Sequence, residues 1–87
     1  MVSVWIPSLL RKLTGGESLL DVEASTVQEA VELINDRYPG FKDNICEGDR
    51  LKPELAVVVD GVVSEKGMRQ KLTNAKEVHF LPRLSGG

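Results

Sequence analysis

One stretch of this chain reads as helix, and nearly everything around it reads as strand. From Val27 the apolar residues Val27, Ala30, Val31, Ile34 and Tyr38 recur at i, i+3, i+4, i+7 and i+11, which is one continuous helical face, and Leu33 widens it. Ser25 stands as the expected N-cap, with Gln28 three residues on to close a capping box. Glu29 adds negative charge near the positive end of the helix dipole. Pro39-Gly40 stops the helix. The back of this helix is polar at Glu29, Glu32 and Asp36, so it has a single apolar face and needs a sheet to lie on.

The strands for that sheet lie on both sides. Val2, Val4 and Ile6 alternate with Ser3 and Trp5, and Pro7 ends the run. After Thr14-Gly15-Gly16 a second strand reads from Ser18 to Glu23, forming a hairpin around a long connection. Phe41 to Pro53 reads as an irregular, charged connection. Leu55 to Val59 is apolar throughout, as in a central strand covered on at least one face. Asp60-Gly61 is a two-residue hairpin turn into Val62-Val63-Ser64. A single helical turn is expected near Met68 to Lys71, and the last strand over Glu77 to Leu81. The order ββαβββ defines an α+β domain of two layers, a mixed four- to five-stranded sheet with one main helix packed across it.

Length and composition narrow the function. Eighty-seven residues make one domain with no room for a second core. The longest apolar run, Leu55 to Val59, is far short of the ~20 residues of a bilayer span, and no signal-like segment opens the chain, so a cytoplasmic location is expected. The formal charge is −2 with acidic and basic residues well mixed, which argues against a nucleic-acid module. Cys46 and His79 are the only cysteine and histidine. Cys46 falls in a loop-like segment and reads as a bystander thiol, with a redox or conjugation role as the sharper alternative. His79 alternates with Val78 and Phe80 and reads as an outward strand position. Little remains from which to build an enzyme site.

The chemistry sits instead at the end of the chain. Residues 1–81 form the domain, and residues 82–87, Pro82-Arg83-Leu84-Ser85-Gly86-Gly87, form a tail that reaches roughly 20 Å when extended. Glycine has no Cβ, so Gly86 and Gly87 fit a narrow channel and present a bare carboxylate. Pro82 fixes φ at the base and biases the tail to leave extended. With Gly87 as the last residue, no proteolytic trimming is expected before the carboxylate reacts. The bland alternative is a frayed, solvated terminus.

Taken together, the hairpin, helix, hairpin and final strand running into Gly-Gly resemble the ubiquitin-like β-grasp fold. Phe80-Leu81-Pro82-Arg83-Leu84-Ser85-Gly86-Gly87 is similar to the tail of the MoaD/ThiS superfamily of sulfur carriers. The opening Val4-Trp5-Ile6-Pro7-Ser8-Leu9-Leu10-Arg11, followed by Thr14-Gly15-Gly16, resembles CysO-type carriers and related small archaeal modifiers. Two places depart from the family pattern. Asn74-Ala75-Lys76 stands where an Asp-Gly-Asp-type turn is common, and Val57 to Val59 where an Asn is common.

The resemblance implies a co-substrate rather than an enzyme. A ThiF/MoeB-type activating enzyme, using ATP and magnesium of its own, adenylates Gly87. A persulfide or sulfide donor then converts it to a thiocarboxylate, and a sulfur-accepting synthase takes the sulfur. No stably bound cofactor or metal is implied for the chain itself. Gly86 gives clearance beside the reacting carbon, and Ser85, Leu84, Arg83 and Pro82 are the expected contacts with the partner's channel. The opening motif favours cysteine or homocysteine synthesis. The alternatives are a small subunit of molybdopterin synthase and a ubiquitin-like modifier joined to lysines through Gly87. A non-covalent interaction module, whose tail does nothing, stands outside both. An apolar docking surface is expected on the sheet, with Trp5 and Phe80 as candidate members and Trp5 the better placed for exposure.

Overall fold

The computed structural model describes residues 1–82. Its elements are β1 (Val2–Trp5), β2 (Leu19–Val22), α1 (Val27–Arg37), α2 (Phe41–Ile45), β3 (Cys46–Glu47), β4 (Arg50–Leu51), β5 (Leu55–Val59), β6 (Val62–Ser64) and β7 (Glu77–Pro82). Single 3-10 turns occupy Ser8–Leu10 and Gly67–Arg69. Five strands form one mixed sheet in the order β2-β1-β7-β5-β6, in which β1 and β7 run parallel and the other neighbours antiparallel. Among the described residues no helix is long and apolar enough to cross a membrane.

The core lies between that sheet and the helices. Val2 and Val4 of β1, Val57 of β5, and Val78 and Phe80 of β7 are buried against Val27, Ala30, Val31 and Ile34 of α1. The alternation read in β1 and the periodic face read in α1 are thus the two halves of one interface. In the long β1–β2 connection Thr14 is fully buried; its hydroxyl donates to the Glu17 carbonyl at 2.8 Å, with the Arg11 carbonyl a longer second acceptor at 3.3 Å. That contact closes the Thr14-Gly15-Gly16 turn. The Asn74 departure keeps its turn as well, because Asn74 adopts φ +62°, a left-handed conformation that asparagine tolerates.

Two expectations are corrected. The helix N-cap is Thr26, one residue later than Ser25: Glu29 N donates to Thr26 Oγ1 at 3.1 Å. Glu29 Oε1 in turn accepts from Ser25 N at 2.7 Å, while Gln28 reaches forward to Glu32 instead. The reason is tertiary. Leu72 N donates to Ser25 O, Val27 N donates to Gln70 O, and Thr26 bridges Lys71, which together hold Thr26 extended as a cap must be. Thr26→Ala is expected to cost about 1 kcal/mol. Urea denaturation at neutral pH measures it, and an unchanged midpoint would count against the cap.

The second correction concerns residues 41–53, which are not irregular. Gly40 takes φ +103°, so the chain leaves α1 by a left-handed step that glycine makes at little cost. Asn35 Oδ1 accepts from Gly40 N and Lys42 N at 3.1 and 3.0 Å, and α2 begins there. Phe41 and Ile45, one turn apart, are both driven fully into the core. β3 and β4 then pair as a two-stranded ribbon, Cys46 opposite Leu51. Cys46 is consequently a buried core residue rather than a loop thiol, with Sγ 3.7 Å from Met68 Sδ. Burial pushes its thiol above the ordinary value, with Lys42 pulling the other way. A buried thiol kept protonated is a poor nucleophile.

Candidate functional site

β7 is the middle strand of the sheet, and the chain end follows directly from it. Its inward residues Val78 and Phe80 anchor it in the core; Phe80 meets Phe41 edge-on with centroids 6.4 Å apart. Phe80 therefore belongs to the core and not to a docking surface. Pro82 is the last residue of β7, opposite Leu55 of β5. Beyond His79, β7 pairs with β5 alone, since its register with β1 ends at Trp5↔His79. A proline, which has no N–H to give a ladder, suits such a one-sided position. Arg83, Leu84, Ser85, Gly86 and Gly87 lie outside the described residues.

The start of β7 is fixed by a carboxylate. In the Asp60-Gly61 turn, Asp60 takes φ +49° and its Oδ1 accepts from Glu77 N at 2.8 Å and Lys76 N at 2.9 Å. These amide donors, Glu77 first, hold the Asp60 carboxyl below its usual value. A lowered folded-state pKa means that the stabilisation is full above the unfolded value of 3.8 and is lost as pH falls through the lower folded one. Asp60→Asn retains the turn but not the charge. Its stability deficit is expected to be constant above about pH 5 and to shrink below pH 3.8. Urea melts across that range test this, and a deficit independent of pH would refute it.

The face of the sheet opposite α1 is open. Registers place Leu19, Trp5, His79, Val58 and Val63 side by side, one residue from each strand, in a row across the whole sheet. Leu81, on the tail side of this row, is 46% exposed, and Val63 at its end is 59% exposed. On the other side a second row is polar: Asp21, Ser3 and Glu77, with Ser3 Oγ donating to Asp21 Oδ1 at 2.6 Å. The indole of Trp5 and the imidazole of His79 stack at 5.4 Å and 12°. Trp5 Nε1 donates to Glu77 Oε1 at 3.2 Å, and His79 Nε2 lies 3.2 Å from the same oxygen. Trp5 and His79 thus face outward, as expected. Leu19, Val58, Val63 and Leu81 join them through pairing register, which no single strand's pattern reveals. Where β7 leaves β1, Trp5, Pro7, Ser8, Arg11, His79 and Leu81 line a shallow cleft. A larger cleft beside β4 and the Gly67–Arg69 turn takes no residue from β1 or β7. Among the described residues no three His, Cys, Asp or Glu side chains gather as a metal site.

A five-stranded mixed sheet in the order β2-β1-β7-β5-β6, with one main helix packed across it, is the β-grasp fold of ubiquitin-like proteins. The chain belongs to the ThiS family of sulfur carriers, whose family model matches residues 4–87. Solved structures agree. A chain of the Amycolatopsis orientalis BexX/CysO complex superposes with a TM-score of 0.86 at 28% identity, covering 100% of both chains. The small archaeal modifier protein 1 of Methanosarcina acetivorans gives 0.75 at 25% identity, covering 99% of this chain and 95% of that one. Mycobacterium tuberculosis CysO shares the fold, with a TM-score of 0.84 at 20% identity over 97% of this chain and 100% of that one. No curated protein sequence gives a significant match.

Proposed function

We propose that this chain carries sulfur as a thiocarboxylate on Gly87, for synthesis of cysteine or homocysteine. The observation that carries the proposal is the ThiS-family match over residues 4–87, which takes in Gly87. The likeness to a chain of the BexX/CysO complex supports a CysO-type role in which the carrier meets a separate protein. A carboxylate is a poor acyl donor because its leaving group is oxide. In the first step a Gly87 oxygen attacks the α-phosphorus of ATP on a ThiF/MoeB-type enzyme, pyrophosphate leaves, and an acyl adenylate forms. Hydrosulfide attack at the carbonyl expels AMP and gives the thiocarboxylate. A persulfide would instead give an acyl disulfide, which a thiol cleaves to the same product. The thiocarboxylate sulfur then bonds to an electrophilic acceptor on a synthase, and water cleaves the acyl–sulfur bond, so sulfur stays with the acceptor and the carrier returns as carboxylate.

The open face supports where the activating enzyme sits. Residues 83–87 span at most ~18 Å when extended, so the enzyme must contact the carrier close to the point where Leu81 and Pro82 end β7. The apolar row lies beside that point.

The test is tandem mass spectrometry after incubation with the activating enzyme, ATP-magnesium and a sulfur donor. Cleavage after Arg83 isolates Leu84-Ser85-Gly86-Gly87, which contains neither Met nor Cys whose oxidation would mimic sulfur. ATP-dependent sulfur on that peptide is expected. A second reading, conjugation to lysines, is favoured by the likeness to the archaeal modifier. Adenylation with lysine conjugates and no thiocarboxylate would select it, and an inert tail would overturn both.

A further inference from the structure

The open face holds one titratable ring that the carrier chemistry does not use. His79 stands at the centre of the apolar row, stacked on Trp5 and sharing Glu77 Oε1 with the indole N–H. We propose that His79 is a proton-sensitive gate on docking. The activating enzyme presents an apolar surface to the row and a lysine or arginine to Glu77, and protonated His79 competes with that cation. The inference rests on the reading of this chain as a carrier activated by a separate enzyme.

Charge on the face points to such an occupant. The row flanking the apolar residues carries Asp21 and Glu77 with Ser3 between them, and the chain's net charge is −2. The surroundings of His79 leave Glu77 as its immediate charged partner. From β5 and β6 it faces Val58 and Val63, and from β1 and β2 it faces Trp5 and Leu19. Asp21 is tied to Ser3, and Asp60 is engaged by the Lys76 and Glu77 amides. Arg11 lines the cleft beside His79, with its Nε donating to Ile6 O at 3.3 Å.

With a neutral imidazole, Glu77 accepts only neutral donors, the Trp5 indole N–H among them, and keeps its net charge for a cation from the partner. With imidazolium 3.2 Å away, the carboxylate is already paired, and the second cation meets a like charge. Docking also covers the row, and a charged ring is costlier to take out of water than a neutral one. The docked state therefore binds fewer protons than the free carrier. Affinity is therefore greatest at the alkaline end of the range and falls as pH drops, by up to about tenfold per pH unit for one linked proton. Histidine is the side chain whose ordinary charge change falls between pH 5 and 8.

The experiment measures the dissociation constant of the full chain for its activating enzyme by calorimetry from pH 5.5 to 8. ATP-dependent pyrophosphate release is followed in parallel. For the wild type, affinity is expected to weaken about tenfold or more across the range. His79→Gln should remove that dependence relative to wild type, which separates it from the enzyme's own titrations. His79→Lys should bind weakly throughout, and Glu77→Gln should bind more weakly than wild type at pH 8, with less dependence on salt. Fluorescence of Trp5, the only tryptophan, reports both folding of each variant and protonation of the stacked ring. A slope unchanged in His79→Gln, or affinity rising as pH falls, overturns the gate while pyrophosphate release leaves the carrier reading standing. Absence of pyrophosphate release at any pH overturns both. Self-association of the chain that masks the row, seen by sedimentation, would assign the face to a second copy and overturn the gate as well.

Discussion

Deleting Gly86 and Gly87 is expected to abolish adenylation and thiocarboxylate formation while leaving the domain folded. Among the described residues the core runs from Val2 to Phe80, so Gly86 and Gly87 follow every core residue described. Changes away from the core usually move stability by no more than ~0.5 kcal/mol, and the thermal midpoint should hardly shift. The chemical effect is of another size. Appending a single alanine after Gly87 keeps both glycines but displaces the terminal carboxylate by ~3.5 Å. A misplacement of ~1 Å at a reacting centre already costs about a hundredfold, so activation by that variant should fall at least that far. Pyrophosphate release with the purified activating enzyme measures both variants. Activity retained by the deletion would end the carrier reading, whereas a lowered melting temperature would show instead that the tail contributes to the fold.

The largest expected effect on stability is at Phe41. Its ring is fully buried and meets Phe80 edge-on, so Phe41→Ala removes the ring and leaves a cavity under the strand that leads to the tail. Such truncations cost about 3–5 kcal/mol. A chain of 87 residues has a total stability on the order of 4–13 kcal/mol. The variant is therefore expected to melt roughly 15–30 °C lower or to be unfolded at room temperature. Phe41→Leu, which keeps most of the volume, should lose much less. Circular dichroism melts decide it, and a shift under about 5 °C for the alanine variant would show that the site collapses around the gap.

Phe41 also shows why some of the fold could not be read beforehand. Lys42, Asp43 and Asn44 separate it from Ile45, and one i, i+4 pair in a charged stretch is too short a period to mark a helix. α2 forms because Asn35 caps its start and the core accepts both apolar side chains. Cys46 went the same way, since a thiol beside Glu47-Gly48 carries no sign that Met68 will cover it. The N-cap moved from Ser25 to Thr26 because the Gln70–Leu72 segment pairs with residues 25–27, a contact across more than 40 positions.

Local periodicity by itself determined the helix face, the strands that alternate, the Asp60-Gly61 hairpin and the order of the main elements. Each depends on neighbours a few residues away, where the 3.6 and 2.0 residue periods act directly. The tail motif likewise pointed to the family before any fold was known. The sheet order, and with it the functional surface, was decided only in three dimensions. Trp5 and His79 are 74 positions apart, and they stack because β1 and β7 pair in parallel at one register. A slip of one residue would turn His79 into the core and Phe80 onto the open face. Burial of Val78 and Phe80 against the helices forbids that slip, so the core packing is what places the row, its histidine and the departing chain end together.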